Sequence, residues 1–197
     1  MKKNIQTIKN KYKIKDTDFV IGSVGRIAPE KSFDKLLYNI KDMIKVNTNI
    51  KVLLVGGGPD LDNLKELTKK LNLENYVIFT DKIDYDLVPT YFNIFNVVVS
   101  FSKTETQGLT IIEGLAASKP TLCIEDDSFR AMIEPNYNGY LFKNDTEFKD
   151  YIFKLMNDQK LYKDMSTNAR NSTYKYSKEV FAADILKVYH KAIENKH

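Results

Sequence analysis

Residues 51 to 71, "KVLLVGGGPDLDNLKELTKKL", decide how the chain is read. Lys51 to Val55 form an apolar run of strand length, and Gly56-Gly57-Gly58 break it with a turn. Pro59 then suits a first helical turn, because its missing N–H would have had no partner there. Leu61, Leu64, Leu67 and Leu71 follow at helical spacing, so the unit is strand, turn, helix. The triple glycine reads equally as a tight turn or as a close approach of backbone to a ligand.

The same unit recurs on both sides. Upstream, Phe19 to Val24 read as a strand, Gly25 as a turn, and Lys31 to Val46 as a helix with Phe33, Leu36, Leu37, Ile40 and Ile44 on one face. Downstream come a strand at Tyr76 to Phe79 and a short helix through Phe92 that Asp84 would cap. Val97 to Phe101 give a fourth strand, Gly108 to Ala117 a helix, and Thr121 to Ile124 a fifth strand. Strands apolar on both faces and alternating with helices imply a parallel sheet covered on both sides. The expected fold is therefore α/β, a doubly wound, Rossmann-like parallel sheet with a helical C-terminal extension. Segments 145–157, 158–174 and 177–194 read as helices, the last with an apolar stripe of Val180, Phe181, Ile185, Val188, Tyr189 and Ala192. Residues 1–18 read as a linker and first helix, 19–175 as the Rossmann-like domain, and 176–197 as a C-terminal helix.

With 197 residues, 43% hydrophobic and 28% charged, the chain can bury a substantial core, and no apolar run approaches the roughly 18 residues of a membrane span. The start, MKKNIQTIKN, lacks the apolar segment of a signal peptide, which points to the cytoplasm. A single cysteine, Cys123, excludes an intrachain disulfide and is expected in the core; with two histidines it makes no familiar zinc site. The net charge of +4, from 30 basic and 26 acidic residues, is too balanced to demand nucleic acid. Its distribution is uneven: Lys2, Lys3, Lys9, Lys11, Lys13 and Lys15 precede the first acid, Asp16. That run is either a solvated helix face or a surface drawn to an anionic membrane.

In open α/β sheets ligands bind outside the carboxyl ends of the strands. That rule brings Gly25-Arg26, the triple glycine, Lys82 and Ser100 to Gly108 to one rim. Glu105 and Glu113 lie eight residues apart around Gly108, which lets backbone approach a ligand as a helix begins. Glu113 follows Leu109 by four residues and is expected to share its buried side, where a carboxylate needs a partner. Two adjacent hydroxyls of a ribose or hexose would serve. The plainer alternatives are a loop acid for Glu105 and a charge at the core margin for Glu113. Arg26 and Lys31 at the first turn would suit a diphosphate, or form an ordinary surface pair. Asp84-Tyr85-Asp86 has the aspartate-x-aspartate form of some metal motifs, but acids at a helix start follow from capping and the dipole. Glu125-Asp126-Asp127 reads as a loop.

Taken together, "VGRIAPEKSFDKLL", "LLVGGGPDLDNLKELTKKLNLENYVIFTDKI", "VPTYFNIFNVVVSFSKTETQGLTIIEGLAASKP" and "NGYLF" resemble, in order and spacing, the C-terminal half of retaining glycosyltransferases of family 4, which have the two-domain GT-B fold. The resemblance implies that Arg26 and Lys31 hold a donor diphosphate and that Glu105 contacts the donor sugar. It further implies a ribose on Glu113, backbone contacts from Gly25, Gln107, Gly108 and Leu109, and a base read near Lys82 and Ile83. The implied chemistry is transfer of a hexose from a nucleoside diphosphate, UDP-glucose, to a lipid or glycan acceptor with retention of configuration. It needs no metal and no cofactor. "TETQGLTIIEGLA" is most similar to bacterial enzymes that glucosylate diacylglycerol at the membrane surface. Two departures stand out: Gln107, where phenylalanine is common, and Ile124 to Ser128, where relatives carry a glycine-bearing loop. The resemblance also implies a missing N-terminal domain as partner, peripheral contact with the inner membrane face, and donor binding without efficient transfer by this chain alone. Two alternatives remain: half of a sugar-nucleotide epimerase, or a non-catalytic protein-binding module. A dehydrogenase is disfavoured, since Val55 to Pro59 is not G-x-G-x-x-G.

Overall fold

The computed structural model describes residues 2–102 and 108–194. The elements are α1 (Lys2–Lys11), β1 (Phe19–Val24), α2 (Phe33–Met43), β2 (Ile50–Val55), α3 (Leu61–Lys70), β3 (Val77–Phe79), α4 (Val88–Ile94) and β4 (Val97–Ser100). They continue with α5 (Leu109–Ala116), β5 (Thr121–Ile124), α6 (Asp127–Arg130), β6 (Gly139–Phe142), α7 (Asp145–Asn157), α8 (Gln159–Ser172) and α9 (Lys178–Glu194). Short 3-10 turns at Pro29–Lys31, Tyr85–Leu87 and Tyr174–Tyr176 introduce α2, α4 and α9.

The six strands form one sheet in the order β3-β2-β1-β4-β5-β6, and every pairing is parallel. The longest register runs along β1 and β2, from Phe19 opposite Ile50 to Val24 opposite Val55. Ile21, Val52, Leu53, Leu54, Val97, Val98, Leu122 and Cys123 are all buried, as strands covered on both faces require. Helix α2 packs against both α3 and α7, and α1, α4, α5 and α8 form a second connected layer. Ile5, Ile8 and Tyr12 pack against the core, so α1 is seated; Lys11 lies on its exposed side, while Lys9 is largely covered and pairs with Asp16 at 2.9 Å.

Several expectations change. The first long helix starts at Phe33, two residues later than expected, because Ser32 takes a left-handed conformation (φ 50°) after the 3-10 turn. Asp84 stands at the cap position of its turn but its side chain accepts no capping bond. The Glu125–Asp127 segment is only partly loop: Asp126 accepts from the Ser128 N–H at 3.0 Å and starts α6. A sixth strand, β6, lies where the sequence suggested none. In α7, Asn144 accepts from the Glu147 N–H at 3.0 Å while Glu147 accepts from the Lys143 N–H at 2.8 Å, a reciprocal cap.

Sheet order changes direction between β1 and β4, since the chain moves outward one way from β1 to β3 and then the other way from β4 to β6. That switch point fixes where a crevice must open.

Candidate functional site

At the carboxyl ends of β1, β2 and β3 lies a cleft of about 650 Å³. Its walls include Gly25, Arg26, Gly57, Lys82, Ile83 and Tyr85. Two loops build it by binding each other. The Gly25 N–H donates to the Val55 carbonyl at 2.9 Å, the Ile27 N–H to the Gly57 carbonyl at 3.0 Å, and the Asp60 N–H to the Ile27 carbonyl at 3.2 Å. Such proximity explains the triple glycine. A Cβ on Gly56 would stand 2.0 Å from the Gly25 carbonyl oxygen, and one on Gly58 would stand 2.1 Å from that of Ile27. Only Gly57 has ordinary room, with the Lys82 nitrogen 3.4 Å from such a Cβ. Two of the three glycines therefore serve loop against loop, which neither sequence reading had singled out.

Arg26 is exposed at the mouth and has no ion-pair partner among the described residues. An unpaired guanidinium beside free space is suited to a phosphate. Lys31 ends the 3-10 turn, is half-buried, and does not line this cleft. The backbone at Lys82 and Ile83 forms the far wall.

Glu113 lies half-buried on α5, and the Tyr85 hydroxyl donates to its Oε1 at 3.4 Å. Burial pushes the Glu113 carboxyl above its ordinary value, and the bond from Tyr85 offsets part of that rise. Beside them Val88, Pro89, Phe92, Ala116 and Arg170 enclose a second cleft of about 470 Å³, which Tyr85 and Glu113 also line. Arg170 is held there by a bond from its Nη1 to the Ala116 carbonyl. Tyr85 and Val88 thus form the wall shared by the two clefts.

Gly108 opens α5 in a left-handed conformation (φ 61°), which glycine adopts without strain. Leu109 corrects one expectation: it is 59% exposed, and the buried face of α5 is Ile111, Gly114 and Leu115. Glu113 does follow Leu109 by one helical turn, but it reaches the margin of the fold through the α4 side. Glu105 and Gln107 fall outside the described residues. Gly25, Arg26, Lys82 and Ile83 are thus gathered in one cleft, Glu113 adjoins it through Tyr85, and Lys31, Gly108 and Leu109 line neither.

Tyr85 was missed as a site residue. Its signal was an aromatic in the first turn after a strand's carboxyl end, hidden within the aspartate pair. Among the described residues no three His, Cys, Asp or Glu side chains gather as a metal site would require.

The chain matches the family model for glycosyl transferases group 1 over residues 4–172. Alpha-monoglucosyldiacylglycerol synthase of Acholeplasma laidlawii is 33% identical over 185 residues, covering 94% of this chain and 46% of that protein. A Staphylococcus aureus TarM variant, crystallised with fondaparinux, alpha-GlcNAc-glycerol and UDP, superposes with a TM-score of 0.81 at 27% identity, over 88% of this chain and 36% of TarM. Anabaena HepE in complex with UDP gives a TM-score of 0.86 at 20% identity, over 96% of this chain and 53% of HepE, a likeness of fold. The chain spans about half or less of the length of these relatives.

Proposed function

Because the chain belongs to the glycosyl transferases group 1 family, we propose that it binds a nucleoside diphosphate sugar, UDP-glucose, as the donor half of a retaining hexosyltransferase with a lipid or glycan acceptor. The observation that carries this reading is the cleft at the carboxyl ends of β1, β2 and β3, which joins an arginine with no ion-pair partner among the described residues to glycine-rich backbone and to the Lys82-Ile83 segment after β3. A diphosphate suits Arg26, with Lys31 as a second cation and the positive dipole end of α5 as a further attraction. A ribose diol suits Glu113, and a base suits the Lys82-Ile83 backbone.

The chemistry follows from charge. As the bond between the anomeric carbon and the diphosphate oxygen breaks, negative charge gathers on the departing phosphate. Cations fixed in advance at that position stabilise the transition state more than the ground state. The acceptor oxygen then bonds to the same face of the anomeric carbon and passes its proton to the departing phosphate oxygen. Glu105 and the backbone of Gln107, Gly108 and Leu109 are assigned to the sugar. In this reading neither a metal nor a cofactor takes part.

We also assign the acceptor site to a second domain, whose docking would cover α9. That helix leaves Phe181, Leu186, Val188, Tyr189 and Ile193 exposed, more apolar surface than an isolated helix needs. No helix among the described residues is long and apolar enough to cross a membrane. Membrane contact, with Ile5, Ile8 and Tyr12 turned inward, would then rest on the exposed Lys11, Lys13 and Lys15.

Calorimetric titration with UDP, UDP-glucose, GDP-mannose and NAD tests the reading. The uridine nucleotides should bind, and Arg26→Ala should weaken them by about 1 to 3 kcal/mol, the range for losing a charged hydrogen-bond partner. Binding of NAD in preference, or of no nucleotide to the folded chain, would refute it.

A further inference from the structure

Tyr85 is 77% exposed, so little packing fixes its ring, yet its hydroxyl is committed to Glu113 Oε1 at 3.4 Å. With Val88 it also forms the wall common to both clefts, between Arg26 and Lys82 on one side and Phe92 and Arg170 on the other. A carboxylate binds a vicinal diol by offering one oxygen to each hydroxyl. One of the two Glu113 oxygens already has a donor from within the chain.

We propose that Tyr85 gates the ribose side of the donor cleft: its hydroxyl stands in for a sugar hydroxyl on Glu113 until the vicinal diol of an incoming nucleotide displaces it. The gate rests on the donor-site reading above and deepens it, because it makes the diol, rather than the phosphate or base, the group that opens the site. An exposed tyrosine is suited to this task. It gives up one hydrogen bond to a half-buried carboxylate, and the ring can swing toward solvent without leaving a cavity. A nucleotide lacking the diol cannot replace that bond and leaves the gate closed. Tyr85 therefore sets a cost that only diol-bearing ligands meet, and it tempers the preference for ribose that Glu113 supplies directly.

The test is calorimetry of UDP and of 2′,3′-dideoxyuridine diphosphate on the unmodified chain, Tyr85→Phe, Tyr85→Ala and Glu113→Gln. Removing the hydroxyl removes the competitor, so Tyr85→Phe should bind UDP about two- to tenfold more tightly, the worth of one ordinary hydrogen bond. The dideoxy ligand should show no such gain. Tyr85→Ala should shift UDP in the same direction, which separates a gate from a stacking platform for the base. A Tyr85→Phe affinity for UDP equal to or weaker than that of the unmodified chain overturns the gate, as does an equal gain for both ligands. If UDP binds and Glu113→Gln weakens it while Tyr85→Phe does nothing, the donor site stands and the gate alone falls. If UDP does not bind the unmodified chain, both fall together.

Discussion

The contact between the first two loops makes a sharp demand on neighbouring glycines. Gly58→Ala places a Cβ 2.1 Å from the Ile27 carbonyl oxygen, 2.7 Å from its carbon and 2.8 Å from its nitrogen. All three are backbone atoms, so no side chain can turn aside. The loops must separate, straining the bonds from the Ile27 N–H to Gly57 and from the Asp60 N–H to Ile27. Overpacking of this kind costs about 1 to 3 kcal/mol. Gly57→Ala differs, because its Cβ meets nothing closer than 3.4 Å. There the lower entropy of the unfolded chain should leave stability unchanged or raise it by up to about 1 kcal/mol. Adjacent substitutions of identical chemistry should thus differ by about 1 to 4 kcal/mol, or about 2 to 16 °C in melting temperature for a domain of this size. Urea unfolding with matched m-values is the assay. Equal midpoints for the two variants would refute the account of the triple glycine. Gly57→Ala carries a second expectation: it lines the cleft, so it should weaken nucleotide binding without weakening the fold.

Three further outcomes are expected. Glu113 must be ionised to accept a diol, so UDP affinity should fall as pH drops through its raised pKa, and Glu113→Gln should remove that component. Because burial raises this pKa, the native state binds more protons in that window and stability falls as pH rises through it. At pH 7 the charge is then a cost, and Glu113→Gln should be at least as stable as the parent in thermal unfolding while binding less well. Lys119, whose Nζ donates to the Asn93 carbonyl at 3.3 Å, has its pKa pushed down to about 8, first by burial and then by Lys9. The unfolded chain binds more protons between that value and the usual lysine range, so Lys119→Met should stabilise the fold by roughly 1 to 3 kcal/mol at pH 7. The gain should close as pH approaches 10, and a constant difference across melting curves would contradict it. Phe181→Lys with Val188→Glu, at positions 66% and 62% exposed, should shift unfolding by less than about 1 kcal/mol; a core-sized loss would show that α9 is packed.

Five strands were legible because each is an apolar run that only a two-sided burial explains. β6 was hidden by its own requirement. It begins with Gly139, after Pro135-Asn136-Tyr137-Asn138, and so looks like a turn. Yet a Cβ on Gly139 would stand 2.0 Å from the Thr121 carbonyl oxygen, so the residue that disguises the strand is the one that permits its pairing with β5. The error at Leu109 has a different cause. Helix α5 is apolar nearly all round, so its sequence offers no contrast between faces, and the close packing of Gly114 on Val98 sets its rotation. Gly25, Arg26 and Lys82 were legible as neighbours on one rim from the crevice rule alone, whereas Ile83 entered only through the family resemblance. Tyr85 was not, since its role depends on a contact with Glu113, 28 residues further along the chain.

The position of β1 in the sheet also governs how the chain emerges during synthesis. β1 pairs with β2 on one side and with β4 on the other, where Asn96 clasps it by donating to the Val20 carbonyl at 2.8 Å and accepting from the Val20 N–H at 2.7 Å. Until β4 exists, the three-stranded half through Phe79 carries an apolar, unpaired edge at what will become the middle of the sheet. Roughly twenty residues separate Phe79 from the end of β4, and at about 5 to 20 residues per second that edge stands open for about one to four seconds. A nascent chain stalled in that interval is the form of this protein most exposed to strand-to-strand aggregation.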